Sequence, residues 1–221
     1  MYENGLPPSL RTIRTLCRIR QSTRDISHLY HQAITSAVEN LLVSISTTHT
    51  FTDKLALAQS LILLQVITLL FPLPAVILKN QAENRMPLLK NYIQELYRST
   101  PNTLPSFMSR YQAWLLAESC RRTLHIAHMV EGIHSVMSRG SFTLTPFVVS
   151  LPFDLNRAWI WEDNANNELE RDLLRPTELI SYRELIELWE NGELRKPSQF
   201  VEMLLVACKG VDEIRPSITI T

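Results

Sequence analysis

The sequence predicts an all-α fold: an irregular multi-helix bundle around a central buried helix, with an extended aromatic segment wrapped over it. Three observations lead there. Apolar residues recur at three-and-four spacing over long stretches, glycine is scarce at 5 of 221 residues, and period-two alternation of β-branched residues is rare. A chain of this length can bury about 70% of its unfolded surface as one domain. Its 22 basic and 22 acidic side chains cancel. A neutral body attracts nucleic-acid phosphates poorly, because that attraction needs an excess of Lys and Arg. Cys17, Cys120 and Cys208 are odd in number and widely spaced, which is no disulfide framework. Cys120 and Cys208 fall in apolar helical patterns and read as buried thiols, as suits a reducing compartment. The first ten residues hold Pro7 and Pro8 and no apolar core, so no secretory signal is expected.

Residues 1–21 form a basic N-terminal arm. Arg11, Arg14, Arg18 and Arg20 punctuate Leu10, Ile13, Leu16, Cys17 and Ile19, and over residues 1–24 five arginines against Glu3 give +4. The arm is open to DNA contact or nuclear import. The preferred reading is a short amphipathic helix with a solvated arginine face, because the charge density is below that of a nucleic-acid patch. Residues 22–47 follow as an amphipathic helix, with Ile26, Leu29, Tyr30, Ala33, Ile34, Ala37, Val38, Leu41, Leu42 and Ile45 on one face. Ser22 is its candidate cap, with Asp25 favourable to the helix dipole. His28 and His31 stand three apart, but no third ligand lies near for a metal.

Residues 53–78 are apolar enough to raise a membrane span, yet Gln59, Ser60, Gln65 and Thr68 interrupt the run and Pro72 and Pro74 end it near Phe71. A buried core helix is therefore expected. Gln81 to Arg98 reads as a helix burying Ala82, Met86, Leu89, Tyr92, Ile93, Leu96 and Tyr97, with a kink at Pro87 or a start near it. Residues 99–105 are a linker. The longest helical pattern, Tyr111 to Gly140, is the central one. Ser106 is its candidate N-cap and Gly140 its stop. Trp114, Leu115, Ala117, Cys120, Leu124, Ala127, Val130, Ile133 and Met137 cover more than half its circumference.

Beyond Gly140 the residues from Ser141 to Phe153, then Trp159 and Trp161, read as extended chain over the bundle. Leu151 to Arg195 holds eleven acids against five basic residues, net −6. Acids mixed with Trp and Leu suit either an activation-like docking segment or a surface loop whose tryptophans fill the core, and the loop is preferred. Ser181 and Glu184 form a capping box for a helix closed by Asn191 and Gly192. Pro197 and Ser198 open a last helix, Gln199 to Lys209, burying Phe200, Met203, Leu204, Val206 and Ala207. The helical domain thus spans 22–213, with a tail at 214–221.

The chemistry-bearing residues are few. The sequence has no Gly-rich phosphate loop, Gly-x-Ser-x-Gly, zinc-protease helix or dinucleotide fingerprint. No catalytic residue, cofactor or metal is expected, and an enzyme is not the reading. On the central helix Glu118, Arg121, Arg122, His125, His128 and Glu131 form a polar stripe. Three-residue steps turn about 300°, so His125 and His134 face apart and at most two of the His/Glu groups can share a ligand. Glu118, Arg121 and Arg122 are the candidate contacts for a small acidic effector. The competing and preferred reading is a structural ion pair within one turn.

Several stretches carry a resemblance. They are Trp114 to Thr123 (WLLAESCRRT), Glu131-Gly132 and Leu151-Pro152-Phe153 with the tryptophans after it. Others are Ala56, Gln59, Ser60, Leu61, Ile62, Leu63 and Gln65; Ala82, Glu83 and Met86 to Leu89; and Leu204 to Gly210. Together they resemble the middle homology region of fungal binuclear zinc-cluster transcription factors, from about residue 22 to 213 in family order. The six-cysteine cluster by which such factors bind DNA has no counterpart here. The resemblance therefore implies the regulatory half: a nuclear transcription regulator of a metabolic or secondary-metabolite gene set. It would be a fragment of a larger factor or a relative acting through a DNA-binding partner or coactivator. DNA contact would be indirect, membrane association is not expected, and homodimerisation is compatible with it. The alternative is a small-metabolite sensor with an apolar cavity near the central helix and no intrinsic DNA binding.

Overall fold

The computed structural model describes residues 5–22, 28–47, 50–70, 76–101, 108–142, 145–155, 178–194 and 197–209. Among them the helices are α1 (Pro8–Ser22), α2 (His28–Thr47), α3 (Phe51–Gln65, continued by a π-helical turn Val66–Leu70), α4 (Val76–Arg98), α5 (Arg110–Arg139), α6 (Pro146–Val149), α7 (Tyr182–Glu190) and α8 (Gln199–Lys209). Strands β1 (Pro152–Asp154) and β2 (Leu179–Ser181) pair antiparallel, Phe153 opposite Ile180. The chain divides into two compact units: residues 1–105 with 126–141, and residues 106–125 with 142–221. The all-helical expectation is met.

In the first unit α3 takes the central place, with α1, α2 and α4 all packed on it. Thr50 caps its start by accepting from the Asp53 amide. Leu55, Ala56, Leu57, Ala58, Leu61, Ile62 and Leu64 are buried. A fully buried Leu or Ile contributes ~1.5–3 kcal/mol. By length and composition Phe51–Leu70 could cross a membrane, yet 67% of its most apolar window is buried inside the protein. Three of its polar interruptions make hydrogen bonds inside the protein. Ser60 Oγ donates to Ala56 O at 2.8 Å, Thr68 Oγ1 to Leu64 O at 2.7 Å, and Gln65 Nε2 to Ala82 O of α4 at 2.9 Å.

Several sequence expectations change here. Ser22 is not the cap of a helix over 22–47; it is the last residue of α1, and α2 begins at His28. Asp25 and Ile26 lie outside the described residues. α1 buries Leu10, Ile13 and Leu16 and turns Arg11, Arg14 and Arg18 outward, as an amphipathic helix should. On α2 the buried stripe narrows to Tyr30, Ile34, Ala37 and Leu41, a strict i, i+4, i+7, i+11 row, leaving Leu29, Ala33 and Leu42 exposed. α4 starts at Val76, before Gln81, because Leu78, Ala82 and Met86 continue one apolar row backwards through the turn. Pro87 is held inside it. Tyr97, Ile133 and Met137, expected to be buried, are 50%, 38% and 59% exposed.

The second unit holds the first half of α5 and everything after residue 141. α5 begins at Arg110, where Ser109 and Gln112 exchange side chain-to-amide hydrogen bonds as a capping box. Ser106, the expected cap, lies outside the described residues, and the Ser109-x-x-Gln112 box three residues on is the capping signal instead. The stop is as expected, with Gly140 at φ 75°. The stretch over Ser141 to Phe153 is not wholly extended. Thr145 accepts from the Val148 amide and Pro146 takes the first helical position, giving α6, and only Pro152–Asp154 is a strand. Trp159 and Trp161 lie outside the described residues. Ser181 and Glu184 form the expected capping box of α7. On α8 the buried face comprises Phe200, Val201, Leu204 and Leu205, while Ala207 is exposed, because two i, i+4 pairs define the contact. Cys120 is buried, as expected, and forms no disulfide. The Cys208 side chain lies outside the described residues.

Candidate functional site

The second unit gathers the chemistry-bearing residues of the Trp114 to Thr123 run. Glu118 lies four residues after Trp114, Arg121 and Arg122 three and four after Glu118, and His125 three after Arg122, so the helix brings them to neighbouring positions on one side. β1 supplies Phe153 and Asp154, α7 supplies Tyr182, and α8 supplies Phe200. Glu118 has no exposed surface, nor has Asp154. A buried carboxylate is costly unless it is paired or hydrogen-bonded; Glu118 is both, and Asp154 accepts a hydrogen bond. Arg121 Nε and Arg122 Nε each lie 2.9 Å from a different oxygen of Glu118. The Asp154 amide donates to the same carboxylate at 3.2 Å. Trp114 Nε1 donates to Asp154 Oδ2 at 2.9 Å.

Aromatic rings pack beside Arg122 and His125. The Arg122 guanidinium sits 4.5 Å over the Phe200 ring, a cation–π contact in a desolvated place. His125, 2% exposed, meets Phe153 edge-on at 5.5 Å and Phe200 at 6.2 Å. Tyr182 Oη donates to Leu204 O at 2.9 Å, tying α7 to α8. The arrangement locks a strand, two helices and a helix half together through charge and ring contacts. Both acids are already engaged, and any effector would have to displace an existing ion pair. Glu118, Arg121 and Arg122 are thus brought together as the sequence indicated, in the geometry of an internal brace. Asp154 and Phe200 were missed as members. The signal was present for Asp154, since it directly follows the Leu151-Pro152-Phe153 stretch, but its burial depends on β1 pairing.

The remaining members of the polar stripe fall in the first unit. Glu131 accepts from Lys90 Nζ at 2.8 Å and stands 3.6 Å from His128 Nδ1. The His128 imidazole, and then Lys90, hold its carboxyl down at about 2 against the opposing effect of burial. The cavity beside them, lined by Met86, Leu89, Ile93 and Ala127 among others, is only about 10 Å³. That is room for about one water. The apolar effector cavity expected near the central helix is therefore not found at this place. Among the described residues no group of three His, Cys, Asp or Glu side chains could hold a metal ion.

An all-helical body braced by arginine–carboxylate pairs defines a packing scaffold. The chain is 29% identical over 190 residues to the transcription factor gsfR2 of Penicillium aethiopicum, a match covering 76% of this chain and 42% of that protein. The chain therefore spans less than half the length of this relative. No family model matches the chain, and no solved structure matches it. The similarity is to a fungal transcription factor.

Proposed function

We propose that the chain is the regulatory helical domain of a fungal zinc-cluster-type transcription factor, working in the nucleus on a metabolic or secondary-metabolite gene set. The observation that supports this most is the 29% identity to gsfR2, taken with the family-like stretches that include Trp114 to Thr123. In this reading the domain relays a signal to a DNA-binding subunit or a coactivator, within a larger factor or across an interface. Contact with DNA is indirect, because the chain's net charge of +0 offers no excess cation for phosphate binding. Glu118, Arg121 and Arg122 serve it as the brace that holds β1 on α5, and an acidic effector would act by competing for that brace.

The test is a reporter assay with the full chain fused to an unrelated DNA-binding module. Changed reporter output, lost in a Glu118→Ala variant, supports the reading. Unchanged output from a stably expressed fusion counts against it. Retention of the purified chain alone on promoter DNA at moderate salt would overturn the indirect route.

A further inference from the structure

One apolar row of the first unit is left uncovered, and we propose that it is the contact face of an antiparallel homodimer, with α5 lying against α5 of a second copy. Ile133, Val136 and Met137 are 38%, 51% and 59% exposed. Ile126 and Met129, half-buried, continue the row towards the middle of the helix. All five lie in the part of α5 that belongs to the first unit.

Spacing gives the first argument. Ile126, Met129, Ile133 and Val136 follow at steps of three, four and three, and Gly140 comes four further on. That is the a/d repeat by which two helices pack side by side. On α2 the exposed Leu29 and Val43 are interrupted by Ser36 and Asn40, and make no such row. Area gives the second argument. At their exposures Ile133, Val136 and Met137 present roughly 300 Å² of apolar surface, in the range of the largest patch on a monomer. A specific interface needs about 1,000 Å² in all, about 60% of it apolar, and the patch paired with itself supplies roughly 600 Å². Ser138 and Arg139, both exposed, give it a polar rim. An unlike partner would have to bring a matching apolar row of its own, whereas a second copy brings one by two-fold symmetry. Charge fixes the direction. Parallel packing would set two Arg139 side chains next to each other. Antiparallel packing about Ile133 parts them and opposes the two helix dipoles. Ile133 then meets its own copy on the two-fold axis, and Met129 meets Met137.

The dimer stands apart from the gene-regulation reading, and its test uses no reporter. The full chain is followed by sedimentation equilibrium from about 1 to about 200 μM, where a reversible dimer with Kd on the order of 10 μM is expected for an interface at the lower limit of area. Val136→Glu and Met137→Lys each bring an unpaired charge into the contact and should weaken it at least about tenfold. Both positions are about half exposed in the single chain, so the helical content read by far-UV dichroism should not change, and either variant decides if the other misfolds. Under mild oxidation Ile133→Cys should give a cross-linked dimer that the native chain does not, and Val136→Cys much less of it, because only the residue on the axis meets itself. The proposal is overturned if the chain stays monomeric throughout that range, if the folded charged variants dimerise like the native chain, or if Val136→Cys cross-links as readily as Ile133→Cys.

Discussion

The centre of the first unit and the brace of the second bury polar groups in opposite ways. On α3 the buried Ser60 and Thr68 turn back to carbonyls of their own helix. Their hydrogen bonds are local, although Gln65 of the same helix reaches Ala82 O of α4. At Glu118 the polar group is satisfied from outside its own turn as well, by the Asp154 amide thirty-six residues on, while Trp114 reaches Asp154 across the same gap. Local satisfaction makes a helix tolerant of what packs on it. Satisfaction across elements makes the position of β1 conditional on one carboxylate.

Glu118→Ala should therefore have the largest effect, since it leaves two arginines and the Asp154 amide without their acceptor. A loss of about 3–5 kcal/mol is expected in urea unfolding of the full chain. A loss below about 1 kcal/mol would mean that the brace is as dispensable as a surface pair. Trp114→Phe removes only the indole donor from buried Asp154 and should cost about 1–3 kcal/mol. The same unfolding measurement reads it, and a double variant with Glu118→Ala should fall short of the summed losses, because the two act through one network.

Glu131 is intermediate in magnitude. Its carboxyl is depressed in the folded protein to about 2, so it contributes stability above the unfolded carboxylate range. That stability is lost as pH falls from about 4.5 towards 2. With Lys90 half exposed, screening limits the contribution to roughly 1 kcal/mol. Stability of the native chain and of Glu131→Gln, measured across that window, should converge at the acid end. Parallel curves would show that the Lys90 and His128 contacts do not act on the carboxyl in solution. The smallest effect belongs to α3: Ser60→Ala removes a hydroxyl bonded within its own helix and should change stability by no more than about 0.5 kcal/mol. A large loss there would erase the distinction between the two units.

Residues close in sequence were the most legible. The limits of α5 and α8, the capping box at Ser181 and the glycine stop at 140 all follow from signals within a few residues. So did the ion pairs of Glu118 with Arg121 and Arg122, because the helix alone brings them together. Wherever a neighbour decides, the pattern misled. Ile133 and Met137 have core-like spacing on α5 yet remain at the surface, and Leu42 does the same on α2. A helix wheel gives the width of an apolar face but not how much of it is covered. Asp154 is the reverse case: its burial is set by strand pairing and a tryptophan forty positions away, and no local pattern encodes either.

One further consequence lies in how α5 is apportioned. Its residues through His125 belong with the later chain and those from Ile126 with the earlier. A gene rearrangement that joined foreign sequence anywhere inside this helix would hand each product half a rod and leave neither with a whole complement of parts. The two units are thus bound to one lineage. Novelty can reach them by substitution, or by additions at loops and ends, but shuffling one without the other is closed to them.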